Sequence, residues 1–139
     1  MIKDYLYTQI ISSLEDLAYD KNVSIINAND LSDNVPDTAL VNTRAVIMNV
    51  KFDINVEYLY RMAHELSHIL YGDREAQAVY QFSEYGKRGE ELLAHRNAIR
   101  MLMSIEMPSS PLTFMNYYHV PSWLENDVVR TYNELNIVE

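Results

Sequence analysis

The chain has no cysteine among its 139 residues. That excludes disulfides and thiolate-ligated zinc, so any bound metal must be held by His, Asp or Glu. No apolar run approaches the roughly 18 residues that read as a membrane span. The start, Met1-Ile2-Lys3-Asp4-Tyr5, meets an acid early and lacks an apolar core, so no secretory signal is expected and a cytoplasmic location is. Basic residues are scarce, 11 Lys and Arg against 20 Asp and Glu, for a net charge of −9. Phosphate contacts need a basic patch, so direct nucleic-acid binding is disfavoured. An apolar content of 48% and a charged content of 22% are ordinary for a globular protein. The length predicts a single domain, 1–139, with room for a core. Eleven tyrosines suit either clefts, where one end is apolar and the other wet, or the edge of a small core.

Periodicity predicts a helix over 3–19, with Leu6, Ile10, Leu14 and Leu17 on one face. Val23–Ile26 reads as a strand. Asn27 to Asp37 reads as loop, with a possible helical turn near 29–33. Ala39–Asn42 and Ala45–Val50 are further strands, with Asn42-Thr43-Arg44 turning between them as a hairpin. The expected sheet is therefore small and mostly antiparallel. A helix follows over about 56–71, with Asp53 or Asn55 as its cap. Residues 72–89 are polar and irregular, with a short helix at most over 76–80. A long helix spans about 90–105 and is closed by Pro108 and Pro111. Leu112–Tyr118 forms a short helix. Pro121 opens the last one, running to about Leu135, with Trp123, Leu124, Val128 and Tyr132 as anchors. The order predicts an α+β domain with helices packed beside the sheet.

The chemistry concentrates in Arg61-Met62-Ala63-His64-Glu65-Leu66-Ser67-His68-Ile69-Leu70. His64 and His68 lie four apart and project from one helix face, a spacing that lets two imidazoles reach one zinc. Glu65 is placed to take a proton from the attacking water in metal-assisted peptide hydrolysis, with the metal lowering the pKa of that water toward about 7. Leu59, Ala63, Leu66 and Leu70 form the buried side. The same letters also arise by chance on an ordinary helix, so the question is whether a third ligand exists. The long helix offers Glu91, with Ala94, His95 and Ala98 on the same side at +3, +4 and +7. The alanines would let the two helices approach closely and bring the Glu91 carboxylate to the metal. Alternatively, Glu90 and Glu91 are acids complementing a helix N-terminus.

Together these pieces resemble the ImmA/IrrE metallopeptidases. In that family an H-E-x-x-H helix follows a small sheet, and a helix of the form E-x-x-A-(N/D)-x-F-A comes next, ending in an apolar run and a proline. Here the second piece reads Glu91-Leu92-Leu93-Ala94-His95-Arg96-Asn97-Ala98, with Met107-Pro108 beyond, and Tyr118-His119-Val120-Pro121-Ser122-Trp123-Leu124 is similar to the segment before the family's last helix. The likeness spans roughly residues 20–135. It implies a zincin-like fold, one Zn2+ held by His64, His68 and Glu91, and Glu65 as general base. The implied substrate is a helix-turn-helix repressor of the kind carried by phages and mobile elements, cleaved to derepress genes. His95 departs from the family's Asn or Asp, which would ordinarily orient a ligand histidine. Candidates for stabilising the oxyanion are His95, Tyr71, Tyr85, Tyr118 and His119. Tyr71 to Gly89, with Tyr80, Phe82 and Tyr85 between glycines, suits either a mobile flap over the cleft or a surface loop packed on the core. The competing function is a non-proteolytic partner that modulates a repressor around a structural metal. Such a site has no need of Glu65 and prefers four protein ligands.

Overall fold

The apolar run Ala45-Val46-Ile47-Met48 becomes the middle of a three-stranded sheet, and its continuity reflects burial on both faces. In this computed structural model, residues 2–72 and 84–137 are described. Strands β1 (Ser24–Ala28), β2 (Thr38–Leu40) and β3 (Ala45–Asn49) lie in the order β1-β3-β2. The β2–β3 hairpin is antiparallel, with Ala39 opposite Val46 and the turn closed by Arg44 at φ 53°. The β1–β3 pairing is parallel and longer, with Ile26 opposite Ile47. The sheet is thus mixed rather than mostly antiparallel. The loop between β1 and β2 carries the chain back past the sheet, so β1 meets the apolar β3 and β2 is left at the edge.

That loop is tied down by a buried asparagine. The Asn49 side-chain amide donates to the carbonyls of Ser32 and Val35 at 2.8 and 2.7 Å, and its Oδ1 accepts from Lys51 N. Asp37 Oδ1 in turn accepts from Asn49 N, and Asp37 Oδ2 pairs with Arg61 at 2.7 Å. The end of β3, the loop and the motif helix are therefore one hydrogen-bonded unit.

Helix α1 (Ile2–Asp20) buries Ile10, Leu14 and Ala18, and Asn22 at φ 60° closes it. The motif helix α2 is Tyr58–Leu70. Its cap is Glu57, not Asp53 or Asn55, and Glu57 makes no side-chain capping bond. Its N–H goes instead to the Tyr118 carbonyl at 2.9 Å, while Asn55 Oδ1 lies 3.0 Å from His119 Nδ1 and Asp53 N–H bonds Asp33 O. Leu59, Met62, Ala63 and Leu66 are fully buried, whereas Leu70 is only half-buried.

Helix α3 (Glu84–Ile105) starts six residues before Glu90, so residues 84–89 of the expected irregular segment are helical. The rest of that segment, residues 73–83, including the expected short helix over 76–80, lies outside the described residues. The α2–α3 contact is the most extensive between elements, and the buried Ala94 and Ala98 form part of α3's packed face. Helix α4 (Pro111–Tyr118) is capped by Ser110, whose side chain accepts from Thr113 N. A 3-10 turn (Ser122–Leu124) leads into α5 (Glu125–Ile137). Leu124 and Val128 anchor that tail, but Trp123 is 64% exposed and is not a core residue. Val46 and Met48 of the sheet join the apolar faces of the helices in one core.

Leu66 has no exposed surface and lies on the α2 side opposite the histidines. Leu66→Ala should cost about 2–5 kcal/mol by lost burial and a residual cavity. Denaturant unfolding should show the midpoint falling with little change in slope.

Candidate metal centre

One turn of α2 separates His64 from His68, and their rings stand 4.9 Å apart at 70°. Glu91, two turns into α3, spans both. His64 Nε2 lies 3.0 Å from Glu91 Oε1, and His68 Nε2 lies 3.4 Å from Glu91 Oε2. The three residues predicted as ligands are therefore brought together. The sequence also suggested a helix-dipole role for Glu91. Its carboxylate instead turns toward the imidazoles.

The opposite ring nitrogens are held by other carboxylates. His68 Nδ1 donates to Glu90 Oε2 at 2.8 Å, and Glu90 is 1% exposed. His64 Nδ1 lies 3.2 Å from Glu65 Oε2. A carboxylate only accepts, so each Nδ1 carries a proton, and each Nε2 lies on the Glu91 side of its ring. Glu90 was read from the sequence as a helix-terminus acid, not as the acceptor that orients His68. Neighbouring helical residues lie about 100° apart around the axis, so Glu91 and Glu90 flank His68 from two sides. The adjacent acid pair was the available signal. His95, at the position where the resemblance expects an acid or amide, orients neither ligand. It stacks on the His64 ring at 4.2 Å and 19°, and its Nδ1 bonds the buried Tyr60 hydroxyl at 2.9 Å.

The electrostatics ask for positive charge at the centre. A neutral imidazole nitrogen held 3.0 Å from a carboxylate oxygen with no proton between them is repelled by it. Although that distance is right for an ion pair, His64 Nε2 is buried and makes no hydrogen bond among the described residues. The ring and the carboxylate sit close but are not aimed at one another as donor and acceptor. Such a pair suits a common cation to which both point. With protein groups alone, burial pulls the His64 pKa down, but Glu65 and Glu91 outweigh it and hold it up at about 9. His68 is also raised, because Glu91 and Glu90 outweigh its burial. Glu91 moves far below the usual carboxylate range, since both histidines overcome the effect of its burial. His95 moves the other way, down to about 4, through burial first and the neighbouring His64 charge second.

Among the described residues, two overlapping groups have ligand atoms within 4.8 Å of one another, His64–Glu65–His68 and His64–Glu91–His95, and either could hold a metal ion. The orphaned His64 nitrogen and the all-N,O donor set fit a divalent metal. The centre lies on the wall of a cleft of about 1210 Å³ between α2 and α3 on one side and β2 with residues 41–43 on the other.

Of the oxyanion candidates, His95 lines this cleft. Tyr71 is half exposed and borders a different hollow beside α1. Tyr118 is buried against Phe114, and His119 is engaged with Asn55. The Tyr85 side chain lies outside the described residues. Comparison of the chain with protein-family models, with curated proteins and with solved structures finds no match.

Removing the Glu90 carboxylate takes away a 2.8 Å acceptor of His68 Nδ1, so Glu90→Ala should weaken metal affinity about 10–100-fold in competition with a chelating dye. An unchanged affinity would mean that Glu90 does not orient the ligand. The histidine charge also sets a pH dependence. A folded pKa raised from 6.5 to about 9 makes His64 contribute stability that is complete below pH 6.5 and lost as pH rises through about 9. With a chelator present, the melting temperature should therefore fall across that window. Metal must displace the same proton, so metal affinity should rise across it, as read by titration.

Proposed function

We propose that this protein is a zinc-dependent endopeptidase that hydrolyses a peptide bond of a regulatory protein. The observation that carries the reading is the convergence of His64, His68 and Glu91, with Glu65 beside them on the wall of an open cleft. His64, His68 and Glu91 would hold the ion, and when bound it supplies polarisation of the scissile carbonyl and acidification of water. Mn or Fe would accept the same ligands.

Glu65 has two tasks. Its Oε2 accepts from His64 Nδ1 and fixes the ring tautomer, which leaves Oε1 for water. The carboxylate takes a proton from the attacking water and delivers it to the departing amine. A site built only to hold a metal, or a binding partner without chemistry, gives Glu65 no such task.

The cleft suits an extended polypeptide. Strand β2 pairs on one side only among the described residues, and Thr38, Ala39 and Leu40 line the cleft. A peptide laid along this edge would gain main-chain hydrogen bonds, and alternate side chains would point into the cleft. The resemblance of residues 20–135 to the ImmA/IrrE metallopeptidases supplies the zincin-like assignment and the substrate class, a helix-turn-helix repressor. A protein target agrees with the net charge of −9, which opposes direct contact with nucleic acid. No helix among the described residues is long and apolar enough to cross a membrane. The proposed setting is the cytoplasm, where such a repressor works.

Glu65→Gln keeps the shape and both histidines. It should retain about one zinc per chain while cleavage of a co-expressed helix-turn-helix repressor falls by at least about 100-fold. Cleavage at the wild-type rate would contradict the assignment. Loss of zinc would mean that Glu65 is a ligand instead of a base.

A further inference from the structure

His95 is a polar ring where packing alone would accept an apolar one. It lies flat against His64, with the Trp123 ring perpendicular to it at 5.4 Å and 87°. Two readings compete, that His95 is a further metal ligand or that it serves the reacting carbonyl. Its proximity to His64 and Glu91, within 4.8 Å, permits the first. The ring geometry opposes it. Imidazole lone pairs lie in the ring plane, and two rings stacked 4.2 Å apart and only 19° from parallel direct them side by side, not to one point.

The hydrogen bond to Tyr60 fixes where the His95 proton sits. Tyr60 is 1% exposed, and His95 Nδ1, at 2.9 Å, is the one hydrogen-bond partner of its hydroxyl among the described residues. Were Nδ1–H the donor, the phenol proton would be buried without an acceptor, which costs about 1–3 kcal/mol. The phenol therefore donates to Nδ1, and the ring proton is on Nε2. Helix α2 thus sets the tautomer of a residue on α3, with Tyr60 one turn before His64. The result is an N–H donor on a ring held rigidly against a ligand histidine and lining the cleft.

We propose that His95 donates a hydrogen bond from Nε2 to the oxyanion that develops on the scissile carbonyl, with Tyr60 as the residue that positions it. The proton stays on Nε2 throughout, so the contribution is electrostatic and not proton transfer. The inference rests on the peptidase reading above.

The test uses the full chain loaded with Co2+ and N-phosphoryl-Leu-Ala, whose tetrahedral oxygens imitate the oxyanion. His95→Phe keeps a ring against His64 but removes the donor. It should leave the Co2+ absorption spectrum unchanged and weaken phosphoramidate binding roughly 100-fold. His95→Gln, which keeps an N–H, should recover part of that loss. Equal affinity in His95→Phe and wild type overturns the proposal, and so does an altered Co2+ spectrum, which would make His95 a ligand. Wild-type protein that binds Co2+ but not the phosphoramidate overturns it as well. Protein that binds no Co2+ contradicts the underlying peptidase reading instead. If His95→Phe does not fold, long-range 1H–15N NMR of the wild type decides. An Nε2–H tautomer supports the proposal, and an Nδ1–H tautomer ends it.

Discussion

The carboxylate of Glu91 lies against the Nε2 atoms of two histidines, and that contact requires positive charge. The rest of the site is organised to make the contact possible. Ala94 and Ala98, buried on α3 in the packing against α2, leave out the side-chain bulk that would hold the helices apart. Glu90 and Glu65 take the far nitrogens and fix both rings in one tautomer. The concentration of acids around two imidazoles would be self-repelling in a solvated surface cluster. Partly buried and shared with a cation, the same charges would form a strong donor set.

The second constraint is the hydrogen-bonded unit around Asn49 and Asp37. A fully buried amide holds the loop before β2, and the Asp37–Arg61 pair ties the end of that loop to α2 three residues before His64. Arg61 also lies over the rings of Phe52 and Tyr58, which help to hold its guanidinium in place. The edge strand and the histidines therefore share a frame. The width of the cleft between them is set by side chains that do no chemistry.

How far the sequence revealed this depends on whether each feature is local. The His64–Glu65–His68 spacing is a property of one helix, so it could be read directly. Glu91 needed a second helix to pack nearby, and the alanines three and seven residues later carried that information. The β2–β3 hairpin was visible because only four residues, 41–44, connect its strands. The parallel β1–β3 pairing was not, because it joins segments across a loop whose path is set by Asn49, a polar residue at the end of an apolar run. Asn55 and Asp53 look like caps in isolation but are drawn to His119 and Asp33. Trp123 sits at helical spacing with Leu124 and Val128, yet it lies in the preceding 3-10 turn, largely exposed and perpendicular to the His95 ring. Glu90 escaped because a buried acid and a solvated helix-terminus acid have the same letter. Only the position of His68 tells them apart.

X-ray absorption at the zinc edge tests the central claim most directly, because it reads the donor shell without reference to any substrate. The account predicts two imidazole nitrogens at about 2.0–2.1 Å, one carboxylate from Glu91 and one light atom not supplied by the protein. Glu91→Ala should remove the carboxylate contribution and leave both imidazoles. A shell of three imidazoles, four protein ligands with no open position, or a Glu91→Ala spectrum identical to the wild type would contradict the account.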